Sequence, residues 1–227
     1  GTSQSAPGFL VGVPRRRKAR ILKLHPVNGC EEGCMPAMIR PVCVNHAYFG
    51  NDRVIETGLQ HGTVTVVIDG EQYECPSFRI DGTYSDNRRP DSVTFVDDLT
   101  EDLRRRDFTI NAMAYNDEEG LIDPFDGMGD IKRGIIRCVG NAADRFNEDA
   151  LRILRAIRFA AQLDFAIEKN TSFELCRQRE SLANVSAERI TNEFNKIVIS
   201  DRFAGMLINC LCIFEQFIPE LEDMYNF

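Results

Sequence analysis

The stretch from Arg145 to Phe165 constrains the fold more than any other. It holds neither glycine nor proline, and its apolar residues recur at helical spacing, so a helix over about 147–163 is expected. At about 100° per residue, Arg152, Arg155 and Arg158 fall within an arc of about 120°, and Asp149 lies about 60° from Arg152. Ile153, Leu154, Ile157 and Ala161 take the other side. One face therefore needs a core, and the other needs partners for three guanidiniums and a carboxylate. Every cation on that face is arginine, the residue suited to bidentate contacts with phosphates and base edges. A merely solvated face remains the plainer reading, though such faces usually mix in lysine. An aspartate can accept from an exocyclic amine while a neighbouring guanidinium donates to ring nitrogens or carbonyls. Together they can read the edge of a nucleotide base.

A chain of 227 residues can bury one substantial core or form a compact domain with a helical extension. Its formal net charge of −8 argues against indiscriminate coating of nucleic acid, yet cations gather between Arg104 and Arg158. No apolar run approaches bilayer length, and residues 1–12 lack the pattern of a secretory signal. The eight cysteines show no compact disulfide spacing. Free thiols, a cytoplasmic location and no membrane contact are the expectation. Cys30, Cys34, Cys43 and His46 are four soft ligands over a short stretch, so zinc is one reading there, although the spacing matches no familiar zinc pattern.

Taken in order, residues 1–8 read as a flexible lead-in, Phe9 to Gly12 as a short strand, Arg15 to Lys18 as a basic run, and 25–46 as a segment without a clear period. The β-branched run Thr63–Ile68 predicts a strand, and Asp69-Gly70 a hairpin turn. The returning strand is expected over Gln72–Cys75 and Ser77–Ile80, interrupted at Pro76, followed by a loop over 81–91. A helix at Leu99–Arg106, an apolar segment at Phe108–Tyr115, a turn at 117–120 and short strands at Leu121–Ile122 and Ile135–Val139 come next. Beyond Gly140 everything reads as helix: about 147–163, 170–180, 187–199 and 203–214, with Ser186 and Ser200-Asp201 at cap positions. The expected class is α+β, a mixed β/α head over 1–140 followed by an all-helical unit over 141–227.

Several motifs occur in a fixed order from Phe49 onward: Thr57 to Thr63, Phe78-Arg79-Ile80-Asp81-Gly82, Arg104 to Met113, Asp123-Pro124-Phe125-Asp126-Gly127, Arg145 to Phe159, and Ser186 to Glu193. Together they resemble the bacterial tRNA nucleotidyltransferases that add CCA, with the related poly(A) polymerases. The resemblance implies a nucleotidyltransferase head with a helical neck, CTP and ATP as substrates, Mg²⁺ as cofactor and the tRNA 3′ end as partner. It implies that Asp149 and Arg152 hydrogen-bond the incoming base and that Arg155 and Arg158 bind its triphosphate. Arg106 and Asp107 would help position phosphates and ribose, with Asn111 bracing their loop. Glu188 and Arg189 would orient the neck.

The family holds its metals on an Asp-x-Asp pair after a glycine-rich loop. Here Gly12 ends a correct start to that loop, but no aspartate occurs between Gly1 and Asn51. Glu31 and Glu32 are adjacent and point apart on a strand, and Glu74 would be a lone further carboxylate. No metal ligands are therefore expected from the family motif, and catalysis by this chain is expected to be weak or absent while nucleotide affinity persists. A shifted reading frame over 13–48 would account for the departure, and the other two frames of the coding DNA test it. Poly(A) addition is the alternative within the class, and a non-catalytic nucleotide- or RNA-binding protein is the alternative outside it. The family's helical body and tail, which grip tRNA, are expected to be missing after Phe227.

Overall fold

The computed structural model describes residues 54–55, 63–68, 71–84, 90–96, 98–116 and 119–226. Strands β1 (Val54–Ile55), β2 (Thr63–Ile68) and β3 (Glu71–Pro76) form an antiparallel sheet in the order β1-β2-β3. The register Val64↔Cys75 and Val66↔Tyr73 is that of the expected hairpin, whose two connecting residues lie outside the described set. Residues 77–80 do not continue this strand. After Pro76, which cannot donate to a ladder, the chain leaves the sheet, and β4 (Arg79–Asp81) pairs instead with β5 (Val93–Phe95).

Helix α1 (Leu99–Arg104) is shorter than predicted and starts at Asp98, whose carboxylate accepts the Thr100 N–H at 2.7 Å. A 3-10 turn at Thr109–Asn111 leads into β6 (Ala114–Asn116), which pairs with β7 (Gly120–Ile122). Helix α2 (Gly127–Arg133) is capped by Asp123, which accepts the N–H groups of Gly127 and Met128 at 2.7 and 2.8 Å. It ends at Gly134, whose φ of 65° only glycine adopts readily.

A Cβ on Gly127 would stand 2.2 Å from the Thr109 carbonyl oxygen, so α2 packs backbone to backbone against the 109–111 turn. Gly127→Ala is expected to lower stability by about 1–3 kcal/mol, since the clash is with main chain. A urea midpoint that falls with an unchanged slope is the expected readout, and an unchanged midpoint would contradict this packing.

The helix predicted at about 147–163 begins four residues later, at Leu151, and a separate helix precedes it. Helix α3 (Ala142–Glu148) and helix α4 (Leu151–Leu163) meet at Asp149, which is extended at φ −148° and ψ 106°. Its Oδ1 accepts the Leu151 N–H at 3.1 Å and its carbonyl accepts the Arg152 N–H at 3.0 Å, so it caps the second helix. The region past Gly140 is not wholly helical either. Strand β9 (Ala166–Ile167) runs parallel to β8 (Ile135–Ile136), and Phe108 bridges to Cys138. Three extended pieces thus lie side by side.

Helix α5 (Lys169–Arg177), a 3-10 turn at Arg179–Asn184, α6 (Ala187–Val198), α7 (Phe203–Asn209) and α8 (Leu211–Phe214) complete the helical half. Ser186 occupies the cap position of α6 without a side-chain bond, and Arg202, not Ser200 or Asp201, precedes α7. The main core surrounds α4, whose Ile153, Leu154, Ala156, Ile157 and Ala160 are fully buried with Phe108, Ile136, Phe146, Leu175, Ile197 and Phe214. That core draws on both sides of residue 140. Phe194, Phe203, Phe214 and Phe217 close its far end edge to face, with ring centroids 5.5–6.2 Å apart. Leu103, Ala112, Ala114 and Val139 make a smaller cluster under α1. Among the described residues, no helix is long and apolar enough to cross a membrane.

Candidate nucleotide-binding site

The α3–α4 corner is clamped onto the loop after α1 through main-chain carbonyls. Arg145 donates to the Arg104 carbonyl at 2.9 Å, and Arg152 donates through Nη2 to the Arg105 carbonyl at 3.1 Å. Glu148 lies between the two guanidiniums, pairing with Arg145 and, at 2.5 Å, with Arg152. The Arg145 carbonyl takes a further bond from Arg152 Nη1 at 3.2 Å. Two helices and one loop are thereby fixed around a single carboxylate.

Asp107 sits at the loop's end, buried, with Oδ2 receiving Arg155 through Nε and Nη2 at 2.8 and 2.5 Å. Its Oδ1 accepts the Phe108 N–H at 2.9 Å and the Asn111 amide at 3.1 Å. Burial pushes the Asp107 carboxyl up, but Arg155, Asn111 and the Phe108 N–H outweigh it and hold it below the ordinary carboxylate range. Asn111 thus braces Asp107 directly. The backbone around Asp107 is anchored to the next strand, with Val139 N–H on its carbonyl at 3.1 Å.

Within Arg104–Arg106, two guanidiniums are tied to one buried acid. Arg105 and Arg106 both reach the buried Asp102, at 2.7 and 3.2 Å, while Arg104 pairs with Glu101 and lies over the Phe125 ring. Asp81 joins from β4, pairing with Arg79 at 3.0 Å and accepting the Tyr84 hydroxyl at 2.8 Å. Burial and Asp81 push the Tyr84 hydroxyl above its ordinary range.

Asp149 faces α6, where Arg189 meets its Oδ2 at 2.8 Å. Each carboxylate oxygen then carries one hydrogen bond and keeps a further lone pair. Arg152 uses three of its five N–H donors on Glu148, Arg145 and Arg105, leaving Nε and one Nη2 hydrogen. Arg158, on the same predicted face, goes elsewhere. It pairs with Glu193 of α6 at 2.7 Å and stacks on Phe159 at 4.1 Å, with only 13% of its side chain exposed. Burial draws its guanidinium below the ordinary value, partly offset by Glu193.

The structure therefore brings Arg106, Asp107, Asn111, Asp149, Arg152 and Arg155 to one loop–corner junction, and sets Arg158 into the α4–α6 interface. Glu188 is exposed in the first turn of α6. Glu74 stands opposite Thr65 in the β2–β3 ladder. Gly12, Cys30, Cys34, Cys43 and His46 lie outside the described residues. Sequence reading overlooked Arg145, Glu148 and Asp102, although the i, i+3 and i+4 spacing of Arg145, Glu148 and Arg152 is a signal for such a cluster. It also overlooked the buried Asp130, which accepts the Thr109 hydroxyl at 2.7 Å and pairs with Arg133 and Arg137. Burial pushes that carboxyl up, and the hydrogen bonds from Arg133, Thr109 and Arg137 bring it below the ordinary range.

Residues 40–137 match the Poly A polymerase head domain, and residues 164–225 match the probable RNA and SrmB-binding site of polymerase A. The chain belongs to the tRNA nucleotidyltransferase and poly(A) polymerase family. A CCA-adding enzyme of Lactobacillus delbrueckii subsp. bulgaricus is 54% identical over 145 residues, 64% of this chain and 37% of that protein. The CCA-adding enzyme of Enterococcus faecalis is 47% identical over 174 residues, 75% of this chain and 42% of that protein. Among solved structures, the Bacillus stearothermophilus CCA-adding enzyme in complex with CTP superposes with a TM-score of 0.61 at 44% identity, covering 68% of this chain and 38% of that one. The Thermotoga maritima CCA-adding enzyme complexed with tRNA gives 0.61 at 25% identity, covering 81% of this chain and 42% of that one. The chain spans about two fifths of the length of these relatives.

The fold class is accordingly that of a nucleotidyltransferase head followed by helices. The family's metal chemistry fits these residues poorly. The sequence contains no Asp-x-Asp at any position, and among the described residues no group of three or more His, Cys, Asp or Glu could hold a metal ion.

Proposed function

We propose that this chain carries the nucleotide-selecting part of a template-independent RNA nucleotidyltransferase of the CCA-adding class. In that class CMP and AMP from CTP and ATP are added to the 3′ end of tRNA, a cytoplasmic reaction. The observation that carries the reading is the state of Asp149 and Arg152. Both are fixed in orientation by α6 and by the 104–107 loop, and both keep unused acceptors and donors. Such a pair presents an acceptor beside two donors, the complement of an exocyclic amine next to ring nitrogen and carbonyl acceptors. Both cytosine and adenine offer an amine beside a ring nitrogen, so one pair can serve both. Arg155 and Arg106, with about a third and 42% of their side chains exposed, border the junction where phosphates would lie. The relatives named above favour CCA addition over poly(A) addition, and the same pair would serve either.

The test is nucleotide binding by Asp149→Ala and by Arg152→Lys, with circular dichroism as a control for folding. Bidentate base contacts are worth about 1–3 kcal/mol of discrimination, so preference for CTP and ATP over UTP and GTP should fall by about fivefold to about 150-fold. Unchanged preference in both folded variants would refute the assignment. Preference for ATP alone in the parent chain would favour the poly(A) reading.

A further inference from the structure

Five described carboxylates around the candidate site share one property: each is held by arginine. Asp81 meets Arg79, Asp102 meets Arg105 and Arg106, Asp107 meets Arg155, Glu148 meets Arg145 and Arg152, and Asp149 meets Arg189. Among the described residues, a divalent cation entering here would have to displace a guanidinium and then sit beside it, and where two carboxylates come near each other, Asp81 and Asp102, Arg105 already lies against both. Magnesium bound with nucleotide ordinarily rests on one or two carboxylates together with the phosphates. The remaining acids in the first 62 residues are Glu31, Glu32, Asp52 and Glu56, and none forms an Asp-x-Asp pair.

We infer that this chain captures nucleoside triphosphates without a divalent metal, the triphosphate charge being met by guanidiniums, so that base selection is uncoupled from transfer. This rests on the nucleotide-reading assignment above and goes further than it. Metal normally screens a triphosphate, so the metal-free nucleotide carries more negative charge and meets Arg106 and Arg155 at least as favourably. Arg155 changes partner in the process, exchanging part of its hold on Asp107 for phosphate oxygen.

The experiment uses the whole chain. CTP is titrated calorimetrically in buffer with Mg²⁺ and in buffer with EDTA, and Mn²⁺ alone is titrated by electron paramagnetic resonance. A CTP dissociation constant in EDTA within about twofold of the Mg²⁺ value, or tighter, together with Mn²⁺ that stays in its aqueous form, supports the inference. Tenfold or greater weakening in EDTA overturns it, as does protein-bound Mn²⁺ in the absence of nucleotide or release of pyrophosphate with tRNA and Mg²⁺. No CTP binding in either buffer overturns it together with the assignment it rests on. Equal, metal-independent affinity for all four triphosphates overturns it as a base-selecting site, together with the base-reading role of Asp149 and Arg152.

Discussion

Replacing Asp107 with asparagine is expected to lower the unfolding free energy by about 3 kcal/mol, the lower end of what breaking a buried ion pair costs. The side chain is 8% exposed and its four hydrogen bonds all need a charged or acceptor oxygen. Asparagine can keep the bonds from Phe108 and Asn111 through its carbonyl, but its amide turns donors toward the donors of Arg155. The guanidinium then stays next to the Phe159 ring without its carboxylate. Arg155 has water on about a third of its side chain, which is why the lower end applies. The pH dependence follows from the direction of the shift. A carboxyl held below its ordinary value adds stability that is fully present above the unfolded-state value, about 4, and disappears as pH falls through the lower folded value. The gap between parent and variant should therefore be constant from pH 7 down to about pH 5 and shrink only in strong acid. Urea denaturation across that range checks it, and a gap already closing between pH 7 and 5 would contradict the pairing.

The second large effect is expected at Leu154→Ala, about 3–5 kcal/mol, because Leu154 is fully buried at the centre of the main core. Its neighbours Ile153, Ala156 and Ile157 are on a helix held at both ends, by Asp149 at the start and by β9 just past its end, so the surround has little freedom to collapse into the void. Thermal and urea unfolding should agree, and a loss below about 1 kcal/mol would mean that the core closes over the gap. The Asp149 and Arg152 side chains lie on the opposite, polar side, so CTP selectivity of the folded fraction should be retained. A selectivity change would show that core and site are coupled.

How much of this could be read beforehand differs by residue. The β2–β3 hairpin was legible, because six β-branched or apolar residues before Asp69-Gly70 carry their own register. The apolar side of α4 was legible for the same reason of period. The break at Asp149 was not, because a helical wheel assumes one continuous helix, whereas an aspartate can cap the next turn with its own carboxylate. Strand β8 falls within the strand expected at Ile135–Val139, whereas β9 holds two residues, too few to show a period, and pairs with β8 across two helices. The arginine face was found, but not its destinations. Arg152 meets an acid one turn away, while Arg155 reaches Asp107 across 48 residues and Arg158 reaches Glu193 across the α4–α6 interface. Only the first distance is local enough for a pattern to reveal.

The grip of Arg145 and Arg152 falls on carbonyl oxygens of the 104–107 loop, and every amino acid supplies that atom. Mutational drift at position 104 can thus alter charge at the mouth of the site while the main chain beneath holds its course. Shape and surface chemistry are free to evolve on separate clocks there.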